Sequence, residues 1–234
     1  MSVMLSIGKT GMHAFQNQID VGAHNIANVS TAGFKRSEAY FQDLMYYNPK
    51  LPVMNGNEVT FDQGLGVRAE FVTSDFSQGA LLTDQSETSM AIQGTGYFGV
   101  LDETTGQLLL TRDGSFGYNK NGQLVDASGR RVMGTTIQNA DGSTRFEPIL
   151  YRPNLTANMT QLNQNNYYVD PQNLISSEQN PERFGTVVTG ALEASNVDLA
   201  NEMTNLIIAQ RAYSMNVKSV QTADETWEII NHLR

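Results

Sequence analysis

The architecture of this chain follows from its C-terminal segment, which reads LANEMTNLIIAQRAYSMNVKSVQTADETWEII from Leu199 to Ile230. Residues 197–232 contain neither proline nor glycine, and apolar side chains recur there every three or four positions. This spacing predicts one amphipathic α-helix. Asn196 or Ser195 is the predicted N-cap, and Asp198 and Glu202 suit the positive pole of the helix dipole. The apolar stripe consists of Leu199, Met203, Leu206, Ala209, Tyr213, Val217, Val220, Trp227 and Ile230.

The N-terminal residues 3–28 predict a second helix with a narrower apolar stripe. When Gly8 and Gly22 are counted with the apolar positions, the spacing alternates between three and four, which is a seven-residue repeat. Gly8 and Gly22 lie between these positions and would allow another helix to approach closely. The stripe consists of Leu5, Met12, Phe15, Ile19 and Ile26.

The middle of the chain, residues 61–150, has short apolar segments separated by closely spaced turn signals. Asn-Gly and Asp-Gly pairs permit the positive φ angles of tight hairpin turns. The pattern predicts a central antiparallel β-rich domain. The turn signals are Asp113-Gly114, Asn121-Gly122, Ser128-Gly129 and Asp141-Gly142.

The sequence therefore predicts an α+β protein in which terminal helices flank a β-rich domain. Residues 1–36 and 186–234 form the predicted helical segments. Residues 37–60 and 151–185 form the predicted connectors, because they are rich in Pro, Asn and Gln; the second could pack on the β domain. A helix with a narrow apolar stripe needs a packing partner. The two helices could pair within one chain, or with helices of other copies.

Composition limits the classes of function. The 234 residues carry a net charge of −9, which argues against binding to nucleic acid. There is no cysteine, so disulfides and cysteine-ligated zinc are excluded. No apolar run is long enough to span a membrane, and the N-terminus does not resemble a secretory signal. These tests alone predict a cytoplasmic protein, but they cover only export routes that read such signals.

No motif in the sequence predicts catalysis, and we expect no cofactor or metal site. Gly94-Thr95-Gly96 lacks the later glycine of a dinucleotide loop and precedes an apparent strand, so a tight turn is the better interpretation. Residues 113–126 lack the ligand spacing of a calcium loop. His13 and His24 lie about 16 Å apart along a helix, which is too far for one metal ion.

Three blocks of sequence, in order along the chain, resemble one known family. The first is NIANVSTAGFKR at Asn25–Arg36. The second comprises AIQGTGYF at Ala91–Phe98, TRDGSF at Thr111–Phe116 and NGQLV at Asn121–Val125. The third comprises LEASNVDL at Leu192–Leu199, AQRAY at Ala209–Tyr213 and TAD at Thr222–Asp224. Together they resemble the bacterial flagellar axial proteins of rod and hook. His24 and Ser30 depart from this family, which usually has Asn at the first position and often at the second.

The resemblance implies a structural role. In this family both termini form helices that pair as a coiled-coil-like inner domain, and they are typically disordered before assembly. Many copies stack helically into a hollow tube that transmits torque and conducts exported subunits. The subunits leave the cell through the flagellar type III export apparatus without a cleaved signal, so the resemblance overrides the cytoplasmic prediction and implies the flagellar basal body. The implied partners are further copies of the chain, neighbouring axial proteins of rod and hook, and the export apparatus.

The length, with one β-domain, resembles the distal rod subunits of this family. A proximal rod or a short hook protein remains open. A different class, a β-module that binds the cell wall or processes peptidoglycan, would require paired acids about 5–9 Å apart. A helical adaptor would form small defined complexes instead of tubes.

The predicted assembly interface is drawn from the two stripes, which we expect to stay unpaired until sister copies arrive. Its residues are Leu5, Met12, Phe15, Ile19, Ile26, Leu199, Met203, Leu206, Tyr213, Val220, Trp227 and Ile230. The signature residues implied by the resemblance are Asn25, Asn28, Gly33 and Phe34.

Overall fold

We analysed a computed structural model, which describes residues 2–44, 46–47, 50–52, 58–60, 63–138, 144–154, 159–163 and 165–233. The chain divides into two compact units. The helical unit comprises Met1–Ala27, Arg36–Asp75 and Val197–Arg234, and the β unit comprises Asn28–Lys35 and Phe76–Asn196. The predicted α+β class is confirmed.

Two long helices dominate the helical unit, as predicted: α1 spans Ser2–Ala27 and α2 spans Leu199–His232. The predicted helical segments 1–36 and 186–234 are wrong at their inner ends, because residues 28–35 and 186–196 belong to the β unit and Thr186–Thr189 and Ala191–Glu193 are strands. The predicted cap of α2 is wrong. The cap is Asp198, whose carboxylate accepts hydrogen bonds from the N–H groups of Ala200 at 3.0 Å and Asn201 at 3.4 Å. The Asn196 amide cannot serve, because it donates instead to the backbone carbonyl of Ser77, which lies in the β unit.

The two helices pair antiparallel through small side chains. Ala209 and Ala223 of α2 are buried, as are Gly8 and Gly11 of α1. A Cβ added at Gly8 would lie 2.6 Å from Cγ2 of Val220, and one added at Gly11 would lie 2.9 Å from Oδ1 of Asn216. Glycine therefore sets the separation of the two helices here, which confirms the prediction for Gly8; at Gly22 a Cβ would lie 3.9 Å from the nearest atom, so the same prediction is wrong there.

A β-ribbon packs against α1 in the same unit. It consists of β1 (Ser37–Asp43) and β6 (Val67–Ser74), which pair antiparallel with a register shift between Tyr40 and Phe41. The ring of Phe41 lies 6.2 Å from that of Phe15 on α1. Four short strands lie between β1 and β6 in the chain: β2 (Tyr46–Tyr47), β3 (Lys50–Pro52), β4 (Glu58–Thr60) and β5 (Gln63–Gly64). The predicted connector 37–60 thus contains strands in its described part, and it groups with the helices.

The β unit consists of short antiparallel strands. Its main sheet has the order β11-β12-β13-β9-β10-β18-β17, and β16 pairs with β9 and β19. Three strand pairs complete it: β20 with β8, β21 with β7, and β14 with β15. The strands are β7 (Leu81–Thr83), β8 (Met90–Gln93), β9 (Tyr97–Leu101), β10 (Leu108–Thr111), β11 (Gly117–Tyr118), β12 (Leu124–Val125), β13 (Arg131–Val132), β14 (Gly134–Gln138), β15 (Thr144–Pro148), β16 (Leu150–Pro153), β17 (Thr160–Asn163), β18 (Asn166–Tyr168), β19 (Leu174–Ser176), β20 (Thr186–Thr189) and β21 (Ala191–Glu193).

The core of the β unit forms where β9 and β10 pair. Phe98, Val100 and Leu110 are completely buried, and Ile92 of β8 is nearly so. The rings of Phe98 and Phe116 meet edge to face, 5.1 Å apart. Two short 3₁₀ turns, Pro171–Asn173 and Pro181–Arg183, lie within the predicted second connector, which also contributes β17 to β19.

Two of the predicted turns have the expected backbone. Gly122 has φ +75° and Gly129 has φ +81°. Gly114 is different, because its φ is not positive and a Cβ there would collide with the backbone carbonyl of Met90. Glycine at position 114 allows two backbone segments to pack closely. The prediction of a tight hairpin turn with positive φ at Asp113-Gly114 is therefore wrong. The Asp141-Gly142 pair lies outside the described residues.

We expect Gly8→Ala to destabilise the helix pair by about 1–3 kcal/mol, because the new methyl group overlaps Val220. Gly22→Ala is the matched control: its Cβ would lie 3.9 Å from the nearest atom, and it should be neutral or stabilising by up to about 1 kcal/mol. Urea unfolding followed by circular dichroism at the helix band measures both. Adding Val220→Ala to Gly8→Ala should recover part of the loss; equal effects of the two glycine variants would contradict the close approach.

Candidate functional site: the outer face of α2 and the buried charge cluster

Large apolar side chains lie exposed on the side of α2 that α1 leaves uncovered. Ile207, Ile208, Met215 and Ile229 form this surface together with the predicted Met203, and we call it the outer apolar face. Met215 is 70% exposed and Ile208 is 57% exposed. Exposed apolar patches of this kind mark interaction sites, because their burial releases water from apolar surface.

The structure separates the predicted interface residues into two groups. Half-buried on the paired helices are Met12, Phe15, Ile19, Ile26, Leu206, Tyr213 and Val220. Exposed are Leu5, Leu199, Met203, Trp227 and Ile230. The expectation that both stripes stay unpaired within one chain is thus not met for Val220, which contacts α1 at Gly8.

Sequence reasoning missed four residues of the outer apolar face: Ile207, Ile208, Met215 and Ile229. One signal could have found Ile207 and Ile208. Leu206, Ile207 and Ile208 are consecutive, and adjacent helical positions point about 100° apart. A single partner helix cannot cover all three side chains, so the run itself predicts a second contact surface.

The signature residues build the passage between α1 and β1. Asn25 is buried, and its amide clamps the backbone of Ser37 in both directions: Nδ2 donates to the carbonyl at 2.8 Å, and Oδ1 accepts from the N–H at 2.9 Å. The carbonyl of Asn28 accepts from the N–H of Thr31, which closes a turn directly after α1. A carboxamide carries a donor nitrogen and an acceptor oxygen side by side, so Asn25 can make both hydrogen bonds to one backbone residue.

Gly33 and Phe34 belong to the β unit. Gly33 has φ +68°, and its N–H donates to the carbonyl of Glu193 at 2.7 Å. A Cβ at Gly33 would collide with the backbone at Arg112 and Asp113, so both the conformation and the space require glycine. Phe34 is buried beside it in sequence.

A buried charge cluster, which the sequence did not predict, forms around Glu193. Its Oε1 accepts from Lys35 Nζ at 2.6 Å and from the N–H of Gly79 at 3.0 Å, and its Oε2 accepts from Arg112 Nη1 at 3.0 Å. The side chain of Glu193 has no exposed surface, and that of Lys35 has 1%. Lys35 also donates to the carbonyl of Ser77, and Arg112 to that of Gly94. Each of the three blocks of sequence that carry the resemblance contributes one charge to this cluster.

Tyr97 lies beside the cluster. The guanidinium carbon of Arg112 sits 5.1 Å from the centre of its ring, within the range of a cation–π contact. Burial raises the pKa of Tyr97 to about 12, because the phenolate would lose its hydration; the charge of Arg112 opposes this rise, and Tyr167 and Glu193 add to it. The phenol of Tyr97 therefore stays neutral at pH values at which an exposed tyrosine has lost its proton.

A second ion pair anchors the start of α2 in the helical unit. Glu202 is buried in the first turn, and its Oε1 lies 3.2 Å from Arg36 Nη1. Arg36 also pairs with Glu38 at 3.1 Å, so residues from β1 and α2 share one cation. The sequence predicts an acid at position 202 for the helix dipole, and the structure adds this partner.

The structure also places the glycines and histidines that the sequence analysis considered as ligand sites. Gly94 and Gly96 have positive φ and turn the chain from β8 into β9, as predicted. His13 and His24 lie exposed on α1. Among the described residues, no group of three His, Asp or Glu side chains is arranged so that it could hold a metal ion. No described helix is long and apolar enough to cross a membrane.

Known proteins match this chain at both ends and along its length. Residues 188–233 match the family described as "Flagellar basal body rod FlgEFG protein C-terminal", and residues 5–35 match "Flagella basal body rod protein". Flagellar basal-body rod protein FlgG of Buchnera aphidicola subsp. Baizongia pistaciae (strain Bp) is 35% identical, over 94% of this chain and 95% of its own length. The chain belongs to the flagellar basal-body rod protein family.

Two further relatives define its position in the rod protein family. FlgG of Agrobacterium fabrum is 34% identical over 97% of both chains. The flagellar hook protein FlgE of Helicobacter pylori is 37% identical, but over only 57% of this chain and 19% of the hook protein. The chain is therefore similar to the FlgG proteins over almost its whole length, and to the hook protein over only part of its length.

We expect Glu193→Gln to destabilise the β unit by about 3–5 kcal/mol, because it removes the buried carboxylate that two buried cations share. Chemical unfolding followed by the near-ultraviolet tyrosine signal measures this. The control is Glu38→Gln, which removes a half-exposed partner of Arg36 and should change the stability by less than about 1 kcal/mol. Indistinguishable stabilities for the two variants would disprove the anchoring role of Glu193.

The raised pKa of Tyr97 predicts a loss of stability in alkali. Between pH 10 and about 12 the unfolded chain releases the phenolic proton and the folded chain keeps it, so the free energy of unfolding falls as pH rises. The loss should total about 2–3 kcal/mol and should be absent in Tyr97→Phe. Tyr118→Phe, at an exposed position, is the control and should retain the wild-type slope. Unfolding at a series of pH values provides the measurement, and parallel curves for the wild type and Tyr97→Phe would refute it.

Proposed function

We propose that this chain is a structural subunit of the bacterial flagellar rod and polymerises helically through its terminal helices into a hollow tube. The observation that carries this function is the outer apolar face of α2, which stays exposed although α1 and α2 pair. Its role is mechanical: the tube transmits torque and conducts exported subunits. The place of action is the basal body of the flagellum.

Different residues of the helices form the α1–α2 contact and the exposed apolar surface, and this separation supports polymerisation. The pairing seam is closest at glycine and alanine, which bury little apolar surface, and several large side chains of α2 remain exposed. Ile207 and Ile208 are each at least half exposed, and their burial in an assembly would contribute about 1–2 kcal/mol per side chain. A surface of this kind on one copy must contact a different surface on the next, because only heterologous contacts build an open filament.

The distal rod is the position we propose along the axis. The FlgG relatives cover nearly the full length of the chain, whereas the hook relative shares about a fifth of its own length with it. A proximal rod or short hook protein is accordingly the weaker choice. We further propose that the neighbours are other copies and the adjacent axial proteins of rod and hook.

We propose a structural role rather than an enzymatic one. Lys35 and Arg112 share the carboxylate of Glu193 inside the β unit, where the three side chains are at most 6% exposed. The cell-wall hypothesis needs a cleft with paired acids at a fixed separation, and no observation favours it. Export through the flagellar type III apparatus, without a cleaved signal, completes the proposal.

The test is assembly of the purified chain at high concentration, observed by electron microscopy. The wild type should form straight tubes. Ile208→Asp should abolish them and leave helix content and unfolding midpoint unchanged, because the side chain is exposed and a charge there opposes burial in an interface. Asn17→Asp adds the same charge at an exposed polar position of α1 and should still assemble.

Val220→Asp provides the contrast within α2. Because Val220 contacts Gly8, this variant should lose helix content as well as tubes. Discrete small complexes of the wild type in place of tubes would favour the helical adaptor. Tubes formed equally well by Ile208→Asp would show that the outer apolar face is not the contact.

A further inference from the structure

A groove of about 510 Å³ opens on the β unit, and none of the three charged residues of the buried cluster lines it. Its volume lies in the range of ligand-binding clefts. Segments from β15, β16 and β20 and the 3₁₀ turn Pro181–Arg183 form the walls. The apolar lining includes Phe146, Leu150, Phe184 and Val187.

Two acidic side chains line the same groove: Glu147 and Glu178. Both residues are exposed, and among the described side chains no cation forms an ion pair with either of them. An apolar floor beside two carboxylates that pair with no described cation suits an occupant that carries an apolar or aromatic group next to a positive charge.

The hairpin of β11 and β12 presents such a pair. Tyr118 is 63% exposed on β11, which is the end strand of the main sheet, and Lys120 is exposed in the turn that follows. Among the described residues Lys120 has no ion-pair partner either. The aromatic ring and the ammonium group are two positions apart.

The turn is held rigid without using either side chain. Oδ1 of Asn119 accepts from the N–H groups of Asn121 and Gln123, both at 2.9 Å, and the N–H of Gly122 donates to the carbonyl of Asn119 at 3.0 Å. Gly122 supplies the positive φ that this turn needs. A rigid tip loses little conformational entropy when it docks, which favours binding.

We propose that the Tyr118–Lys120 tip of one copy docks into the groove at Glu147 and Glu178 of the next copy. Tip and groove are different surfaces of one chain, so the contact is heterologous and each copy can use both. It deepens the proposed function and rests on it, because the helices already hold neighbouring copies at high effective concentration. A contact of modest area then contributes to assembly and fixes the register of the β units.

Crosslinking in the full chain tests the contact directly, because the protein has no cysteine of its own. The variant Lys120→Cys/Glu178→Cys should give a ladder of covalent dimers, trimers and higher species with a short bismaleimide, since each copy carries both ends of the contact. The control Lys120→Cys/Glu103→Cys moves the second thiol to another exposed acidic position and should give no ladder. A ladder in both variants, or in neither, overturns the proposal.

Charge reversal supplies an independent readout. Lys120→Glu should raise the protein concentration needed for assembly by about tenfold, because it places like charges together. Adding Glu147→Lys/Glu178→Lys in the same chain should restore the wild-type concentration. Failure of the combined variant to recover, while its β unit remains folded by tyrosine circular dichroism, refutes docking of the tip in this groove.

The two proposals fail in distinguishable ways. If the docking is wrong and the proposed function is right, tubes form in the wild type and are lost in Ile208→Asp, and the Lys120/Glu178 cysteine pair gives no ladder. If the proposed function is wrong and the docking is right, the Lys120→Cys/Glu178→Cys variant gives the ladder at high concentration, but the wild type forms no tubes. Occupation of the groove by a different protein also yields no ladder, and therefore counts against a second copy as the occupant.

Discussion

The carboxylate of Glu193 is the interaction on which the β unit depends. It forms ion pairs with both Lys35 and Arg112 at positions that are almost fully buried, and a buried cation without such a partner is costly. Lys35 follows α1 by only a few residues and Glu193 precedes α2 by a few, so one carboxylate fixes both points where the chain leaves the β unit. This explains why the three distant blocks of sequence that carry the resemblance must fold together.

Close packing of small residues performs the corresponding task in the helical unit. Gly8, Gly11, Ala209 and Ala223 bring α1 and α2 together at short distance, and backbone geometry, rather than large side chains, sets their separation. The energetic consequence is that most of the large apolar surface of α2 is still available. A subunit that must recognise further copies benefits from this arrangement, because the surface that drives assembly is not consumed in folding.

The two units therefore have different physical tasks in the proposed rod. The helical unit supplies non-directional apolar contacts, which give affinity, and the β unit supplies a charged tip and an acidic groove, which give register. Charges alone would be screened at physiological ionic strength, and apolar contacts alone would leave the rotation of each copy weakly defined. A tube that transmits torque needs both.

The sequence by itself determined the elements with long or frequent local signals: both helices, the antiparallel β middle, the turns at Gly122 and Gly129, and the close approach at Gly8. Periodicity and turn chemistry act over a few neighbouring residues, so one sequence is enough to show them. The family resemblance likewise came from contiguous blocks.

Tertiary structure alone decided three things. It brought Lys35, Arg112 and Glu193 together across most of the chain, it chose Asp198 over its neighbours as the cap of α2, and it turned Val220 inward while leaving Ile207 and Ile208 outside. Each of these depends on which residues, distant in sequence, come into contact. The periodicity of an apolar stripe does not show whether the stripe packs against the same chain or against another copy.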